Sequence, residues 1–251
     1  MPVHYERRGA AALLTIDRPQ RRNAVDGPAA QALAEGHERF EADDGARVLV
    51  LTESGEEAFC AGADLKALDT LWPRMADPGG PLGLTRRMAT KPTIAAISGW
   101  CLAGGLELAL WCDLRIAARG AVMGFPERRW GVPFIDGGTQ RLPRVVGLGR
   151  ALEITLTGRM VGDEEALAIG LVTELVEPRG HVQRALQLAE ALAAFPQQTM
   201  LADRTAMLEG VGRPLAQGLE LEARNGPATR EAAARGAARF AGGEGRGGVG
   251  V

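Results

Sequence analysis

Residues Ser98 to Ala117 read SGWCLAGGLELALWCDLRIA. Just ahead of them, TIAAIS (Thr93 to Ser98) is a short apolar run of the kind that forms a buried strand. The glycine pair Gly104-Gly105 then stands where a strand turns into a helix, and Gly104 to Cys112 is apolar except for Glu107. LRIAA (Leu114 to Ala118) and AVMGF (Ala121 to Phe125) follow as further strands. Strand, glycine turn, helix, strand in that order predicts an α/β domain with crossover connections.

The same order is present upstream. VHYERR and AALLTID are strand-like runs separated by Gly9 and closed by Arg18-Pro19. A helix is expected over Pro28 to Glu41, and RVLVLTES (Arg47 to Ser54) reads as a buried strand. Leu68 to Met88 contains WPRMADPGGPLG, whose prolines and glycines predict a long surface connection, a type of loop often mobile beside an active site. From about Arg150 the pattern becomes helical, with LVTELVE (Leu171 to Glu177) as a last strand and helices over His181 to Ala194, Thr199 to Glu209 and Leu215 to Arg224. The expected organisation is a main domain over residues 1–195, a helical region over 196–240 and a disordered tail over 241–251, where six of eleven residues are glycine.

Composition excludes several classes of function. With 29 basic and 31 acidic residues the formal charge is -2, which leaves no electrostatic footprint for nucleic acid or an anionic membrane. The apolar runs are too short and too interrupted to span a bilayer, and charges occupy the N-terminal stretch where a signal peptide needs apolar residues. A cytoplasmic protein is expected. Cys60, Cys101 and Cys112 lack metal-ligand spacing and read as reduced core thiols.

A second glycine-bearing turn, AFCAGADLK (Ala58 to Lys66), also follows a strand and leads toward a helix. Small residues in both segments let main-chain N–H groups approach a ligand, and two converging N–H groups, one at a helix start, stabilise an anion. Taken singly, either segment reads first as a plain turn or helix start. Together with Pro126-Glu127, GGTQRLPRVVG, IDRPQRRNAV and EALAIGLVTELV, they resemble the crotonase family of enoyl-CoA hydratases and isomerases over most of the chain.

The resemblance implies an α/β spiral of β-β-α units with a C-terminal helical trimerisation region, and a homotrimer or a dimer of trimers. It implies an acyl-CoA substrate whose thioester oxygen accepts hydrogen bonds from the N–H groups of Ala63 and Gly104. Coenzyme A arrives on the substrate, with no metal and no separate cofactor. Arg22, Ala24, Ala61, Asp64, Leu65 and Lys66 match the positions that line the coenzyme A, with Lys66 and Arg22 as candidate phosphate contacts or solvated surface charges.

Three acids are catalytic candidates. Glu107 sits in the first turn of its helix, where a carboxylate also gains about 0.3 to 1 kcal/mol from the helix dipole, but apolar neighbours predict a raised pKa. Glu127, twenty residues later, matches the family's second catalytic glutamate. Paired carboxylates suit addition of water across a trans-2-enoyl-CoA: one activates the water and the other supplies the proton. The chain departs from common hydratases at Arg128 and Arg129, which cannot share a face if this segment is extended, and at Phe134, Ile135 and Asp136, whose bulk narrows an acyl pocket. Asp136 is either an active-site acid or the N-cap of a helix beginning near Gly138. A double-bond isomerase and a non-catalytic acyl-CoA binding protein are the alternatives to a hydratase.

Overall fold

In the computed structural model, which describes residues 1–244, the chain divides into two compact units, Met1–Ala189 and a second from Glu190 onward. The first opens with β1 (Val3–Arg8), β2 (Ala11–Ile16), α1 (Gly27–Ala42), β3 (Val48–Glu53) and β4 (Ala58–Cys60). It continues through β5 (Thr93–Ile97), β6 (Trp100–Leu102), α2 (Gly104–Trp111), β7 (Leu114–Ala118) and β8 (Val122–Gly124). Then come α3 (Gly138–Val146), α4 (Leu148–Thr157), β9 (Met160–Gly162), α5 (Asp163–Ala168), β10 (Glu174–Val176) and α6 (His181–Ala194), inside which the division falls.

Six strands form one sheet in the order β1-β2-β3-β5-β7-β10, parallel apart from the β1–β2 hairpin. Every residue of β3 and β5 is buried, as expected of central parallel strands covered on both faces. β1 exposes Arg7 and Arg8 along its length, and charges of this kind keep an edge strand from pairing with other chains.

A second sheet, β4-β6-β8-β9, is made of three-residue strands. β4 and β6 run parallel, with Ala58 opposite Trp100 and Cys60 opposite Cys101. Their C-terminal ends therefore lie side by side and deliver the two glycine-bearing turns to one place.

The Arg18 to Ala24 turn is tied to this second sheet. Asn23 is buried with φ 53°, a conformation its short amide tolerates, and its Nδ2 donates to the carbonyls of Ser54 (2.9 Å) and Ala58 (2.7 Å). Its Oδ1 accepts from the Arg18 N–H at 2.8 Å. The Arg18 guanidinium bridges Asp26 (2.7 Å) and Asp64 (3.1 Å), and Asp26 also caps α1 by accepting from Ala29 N–H at 2.9 Å.

The connection after β4 differs from the surface loop expected over Leu68 to Met88. It forms two 3-10 turns, Leu65–Thr70 and Trp72–Ala76, and then residues 79–85 run inward, all buried. Gly83, at φ 94°, makes this possible: a Cβ there would lie 2.0 Å from the Ala30 carbonyl oxygen of α1. The glycines and prolines bend the chain into the core rather than around it. The last strand is also shorter than expected, because Leu171 and Val172 are buried in the turn that precedes β10.

The second unit holds α7 (Gln197–Gly210), α8 (Leu215–Asn225) and α9 (Arg230–Ala241). The tail expected over 241–251 lies, from residue 245, outside the described residues. Among the described residues no helix is long and apolar enough to cross a membrane, and no group of histidine, cysteine and acidic side chains has a metal-binding arrangement.

Candidate active site

At the end of β4, Gly62 takes φ 93°, and its carbonyl accepts from Val25 N–H (2.8 Å) while Asp64 N–H donates to the Val25 carbonyl (2.8 Å). Because main-chain direction alternates along an extended segment, the N–H of Ala63 between them points away from Val25. At the end of β6, Ala103 takes φ 53° and ψ -128°, a region that is strained for any residue with a side chain. That turn starts α2 at Gly104, whose N–H has no partner within the helix.

The two donors are neighbours. A Cβ on Gly104 would lie 3.6 Å from the Ala63 nitrogen, and one on Gly62 would lie 2.9 Å from the Gly104 nitrogen. Gly105 packs so closely on β4 that a Cβ would meet the Cys60 carbonyl oxygen at 2.1 Å. The pair is thus set by main-chain packing of two parallel strand ends.

Both turns open onto a cavity of about 400 Å³, lined by Ala61, Ala63, Ala103 and Gly104 and by the three acids Glu107, Glu127 and Asp136. Glu107 projects from the first turn of α2 and is buried; its Oε1 accepts from Asp136 N–H (3.0 Å) and Gly138 N–H (2.7 Å). Burial pushes its pKa up to about 8, with the nearby charges of Asp136 and Glu127 adding to the rise and the two N–H donors opposing it. Glu127 is buried at the start of a 3-10 turn, Pro126–Trp130. Burial raises its pKa to about 7 against its own main-chain N–H and the charge of Arg128, and its Oε2 has no hydrogen-bond partner in the protein.

The 3-10 turn resolves the placement of the arginines, since the segment is not extended. Arg128 donates to the Val132 carbonyl at 2.6 Å and stacks 5.0 Å from the Phe134 ring, which packs on Phe125 at 4.2 Å. Phe134 therefore stands outside the cavity wall, whereas Ile135 and Asp136 line it. Asp136 does not cap α3, whose N-cap is Gly137 without a side-chain hydrogen bond; its carboxylate instead accepts from Leu82 N–H at 3.1 Å and from the Thr85 hydroxyl.

The residues expected along the coenzyme A separate into two groups. Ala61 and Leu65 line the cavity and Lys66 is exposed beside them. Arg22 is exposed and paired with exposed Glu57 at 2.6 Å, Ala24 is buried, and the Asp64 carboxylate is engaged by Arg18 and by the Lys66 N–H (3.1 Å). Sequence reading missed Leu68, Leu71, Trp72, Met75 and Leu82 as cavity walls. Their signal was an apolar stripe inside a stretch whose glycines and prolines read as surface.

A sequence profile of the enoyl-CoA hydratase/isomerase family matches residues 6–243. A putative enoyl-CoA hydratase/isomerase of Bacillus subtilis is 41% identical over 217 residues, covering 84% of this chain and 83% of that protein. The (E)-benzylidenesuccinyl-CoA hydratase of Thauera aromatica is 38% identical over 225 residues, 87% of each chain. Among solved structures, an enoyl-CoA hydratase of Mycobacterium marinum aligns with a TM-score of 0.88 at 36% identity over 96% of this chain and 95% of that one. The chain belongs to the enoyl-CoA hydratase/isomerase family and has its crotonase fold.

Proposed function

We propose that the protein is an enoyl-CoA hydratase that adds water reversibly to a trans-2-enoyl-CoA to give a 3-hydroxyacyl-CoA. The observation that carries this reading is that Glu107 and Glu127 line the same cavity as the Ala63 and Gly104 donors, and among the described residues no arginine is directly paired with Glu127. The thioester oxygen accepts from the two N–H groups, which hold the negative charge that builds up there as C3 is attacked. With pKa values near 7 and 8, the two carboxylates hold about one proton between them midway between those values, slightly above neutral pH. One accepts from water and the other donates to C2.

Coenzyme A enters as part of the substrate, over Ala61 and Leu65. The exposed Arg22–Glu57 pair is weak and free to exchange Glu57 for a phosphate, with Lys66 as a second cation. Location in the cytoplasm and assembly as a homotrimer or dimer of trimers belong to the same reading. Met207, Leu215, Leu219 and Phe240 of the second unit are exposed, an apolar surface suited to a subunit contact.

The cavity wall also limits the acyl group. Among the described residues its ionisable lining groups are the three acids, and the other lining side chains are apolar, including Leu68, Leu71, Trp72, Met75 and Ile135. A carboxylate on the acyl chain would be buried with no cation to pair it, at a cost of several kcal/mol. Purified protein is therefore expected to hydrate crotonyl-CoA, followed by loss of enoyl-thioester absorbance and product identification. Glutaconyl-CoA, which adds a terminal carboxylate, is expected to show kcat/KM at least ~10²-fold lower. Tight acyl-CoA binding without hydration at any chain length would defeat the hydratase reading; a migrated double bond would make it an isomerase. Equal kcat/KM for the two thioesters would defeat the neutral-acyl preference.

A further inference from the structure

Asp136 is 3% exposed and is engaged through its main chain and its side chain. Its N–H donates to Glu107 Oε1 (3.0 Å), its carbonyl accepts from Arg141 Nη1 (3.0 Å), and its Oδ1 accepts from Leu82 N–H (3.1 Å) and from the Thr85 hydroxyl. Two arginines close the same junction. Arg141 Nη2 donates to the Thr85 carbonyl at 2.5 Å, and Arg86 donates to the carbonyls of Met75 (2.7 Å) and Ile135 (3.1 Å). The segment held in this way carries Leu82, whose Cδ1 lies 2.8 Å from where a Cβ on Gly104 would sit.

We propose that Asp136 is a positioning residue that clamps residues 79–85 onto the turn before α3, and thereby fixes both Glu107 and the wall against the Gly104 donor. The proposal rests on the hydratase reading and adds to it a residue that acts through others. The task of Oδ1 is to accept two hydrogen bonds, and this needs no proton transfer. An asparagine Oδ1 supplies the same acceptor, whereas alanine leaves Leu82 N–H without a partner in a buried site and the Thr85 hydroxyl with only the Gly79 carbonyl at 3.5 Å.

Three variants separate the possibilities. Asp136→Asn is expected to keep kcat on crotonyl-CoA within about tenfold of the parent, while Asp136→Ala falls by ~10², the scale on which misplacement of a reacting group acts. Thr85→Val keeps the carboxylate but removes one donor and should fall between them; it carries the test if Asp136→Ala does not fold. The pH profile supplies a readout that simple loosening would not move. Glu107 is faced by Asp136 and Glu127, with Arg141 as the nearby cation. Removing the Asp136 charge makes ionisation of Glu107 easier, so the alkaline limb of kcat/KM in Asp136→Asn shifts to lower pH.

Hydrogen exchange at the amides of Leu82, Asp136 and Gly138 reads the clamp without turnover: faster in Asp136→Ala, near parental in Asp136→Asn. This separates failure of the clamp from failure of the hydratase reading. If Asp136→Asn is as inactive as Asp136→Ala while binding acyl-CoA normally, Asp136 transfers a proton and the proposal is overturned. Parental kcat and exchange in both Asp136→Ala and Thr85→Val would overturn it equally.

Discussion

Glu127→Gln is expected to lower kcat for crotonyl-CoA hydration by ~10² to 10⁴-fold while acyl-CoA binding persists, because it removes a proton-transfer group and leaves the cavity shape unchanged. Glu127 is the acid whose Oε2 has no partner in the protein, so this oxygen is free to engage water or substrate. Glu107→Gln should match it in scale, and its amide oxygen can still accept from the N–H groups of Asp136 and Gly138. The parent should show a bell-shaped kcat/KM between the values of about 7 and about 8. Toward acid the pair gains a second proton and has no base, and toward alkali it loses its last proton and has no acid. In Glu127→Gln only Glu107 of the pair remains to titrate, and loss of a like charge lowers its pKa. Full activity in Glu127→Gln would shift the proton transfer to another acid, with Asp136 the first to examine.

Gly62→Ala should reduce kcat by ~10² to 10³, with a smaller effect on substrate binding. At φ 93° an alanine is strained, and its Cβ would meet Ala103 Cβ and the Gly104 nitrogen at 2.9 Å each. Relief requires the ends of β4 and β6 to separate, which pulls the Ala63 and Gly104 donors apart. Loss of one such donor costs about 2.7 to 4 kcal/mol in the transition state, where the oxygen carries most charge. Gly120→Ala is the control. Its φ is 85° but a Cβ there meets nothing within 4 Å, so it should lose some stability and no turnover. If Gly62→Ala and Gly120→Ala have the same kcat, the donor pair is not the source of rate enhancement.

Four strands of the main sheet, β2, β3, β5 and β7, were legible as largely apolar runs of five or six residues bounded by turn residues, and α1 and α2 had clear starts at Asp26-Gly27-Pro28 and Gly104. Of the second sheet, β8 was legible within AVMGF and the rest only as the turns at the strand ends. Strands as short as Trp100–Leu102 have too few residues to show an alternation, and tertiary pairing defines them. Residues 79–85 were hidden for a different reason: glycine and proline signal a change of direction without giving its sense, and here Gly83 turns the chain toward α1. The path of the Pro126–Trp130 turn was not legible either, because the sequence does not say whether the segment is extended. Its two adjacent arginines look close to Glu127 in sequence, but the 3-10 geometry sends Arg128 to Val132 and Phe134.

The Ala63 and Gly104 donors belong to the peptide backbone, and their spacing comes from strand pairing rather than from any side chain. No single codon change can delete such a group short of introducing proline, whereas each carboxylate in the cavity can be exchanged by one. On the proposed function, the capacity to hold an enolate-like thioester therefore comes from the main chain, and the acids are side chains mounted around it. On that reading, a redesign toward a new reaction would keep the two N–H groups and relocate only a proton donor or acceptor.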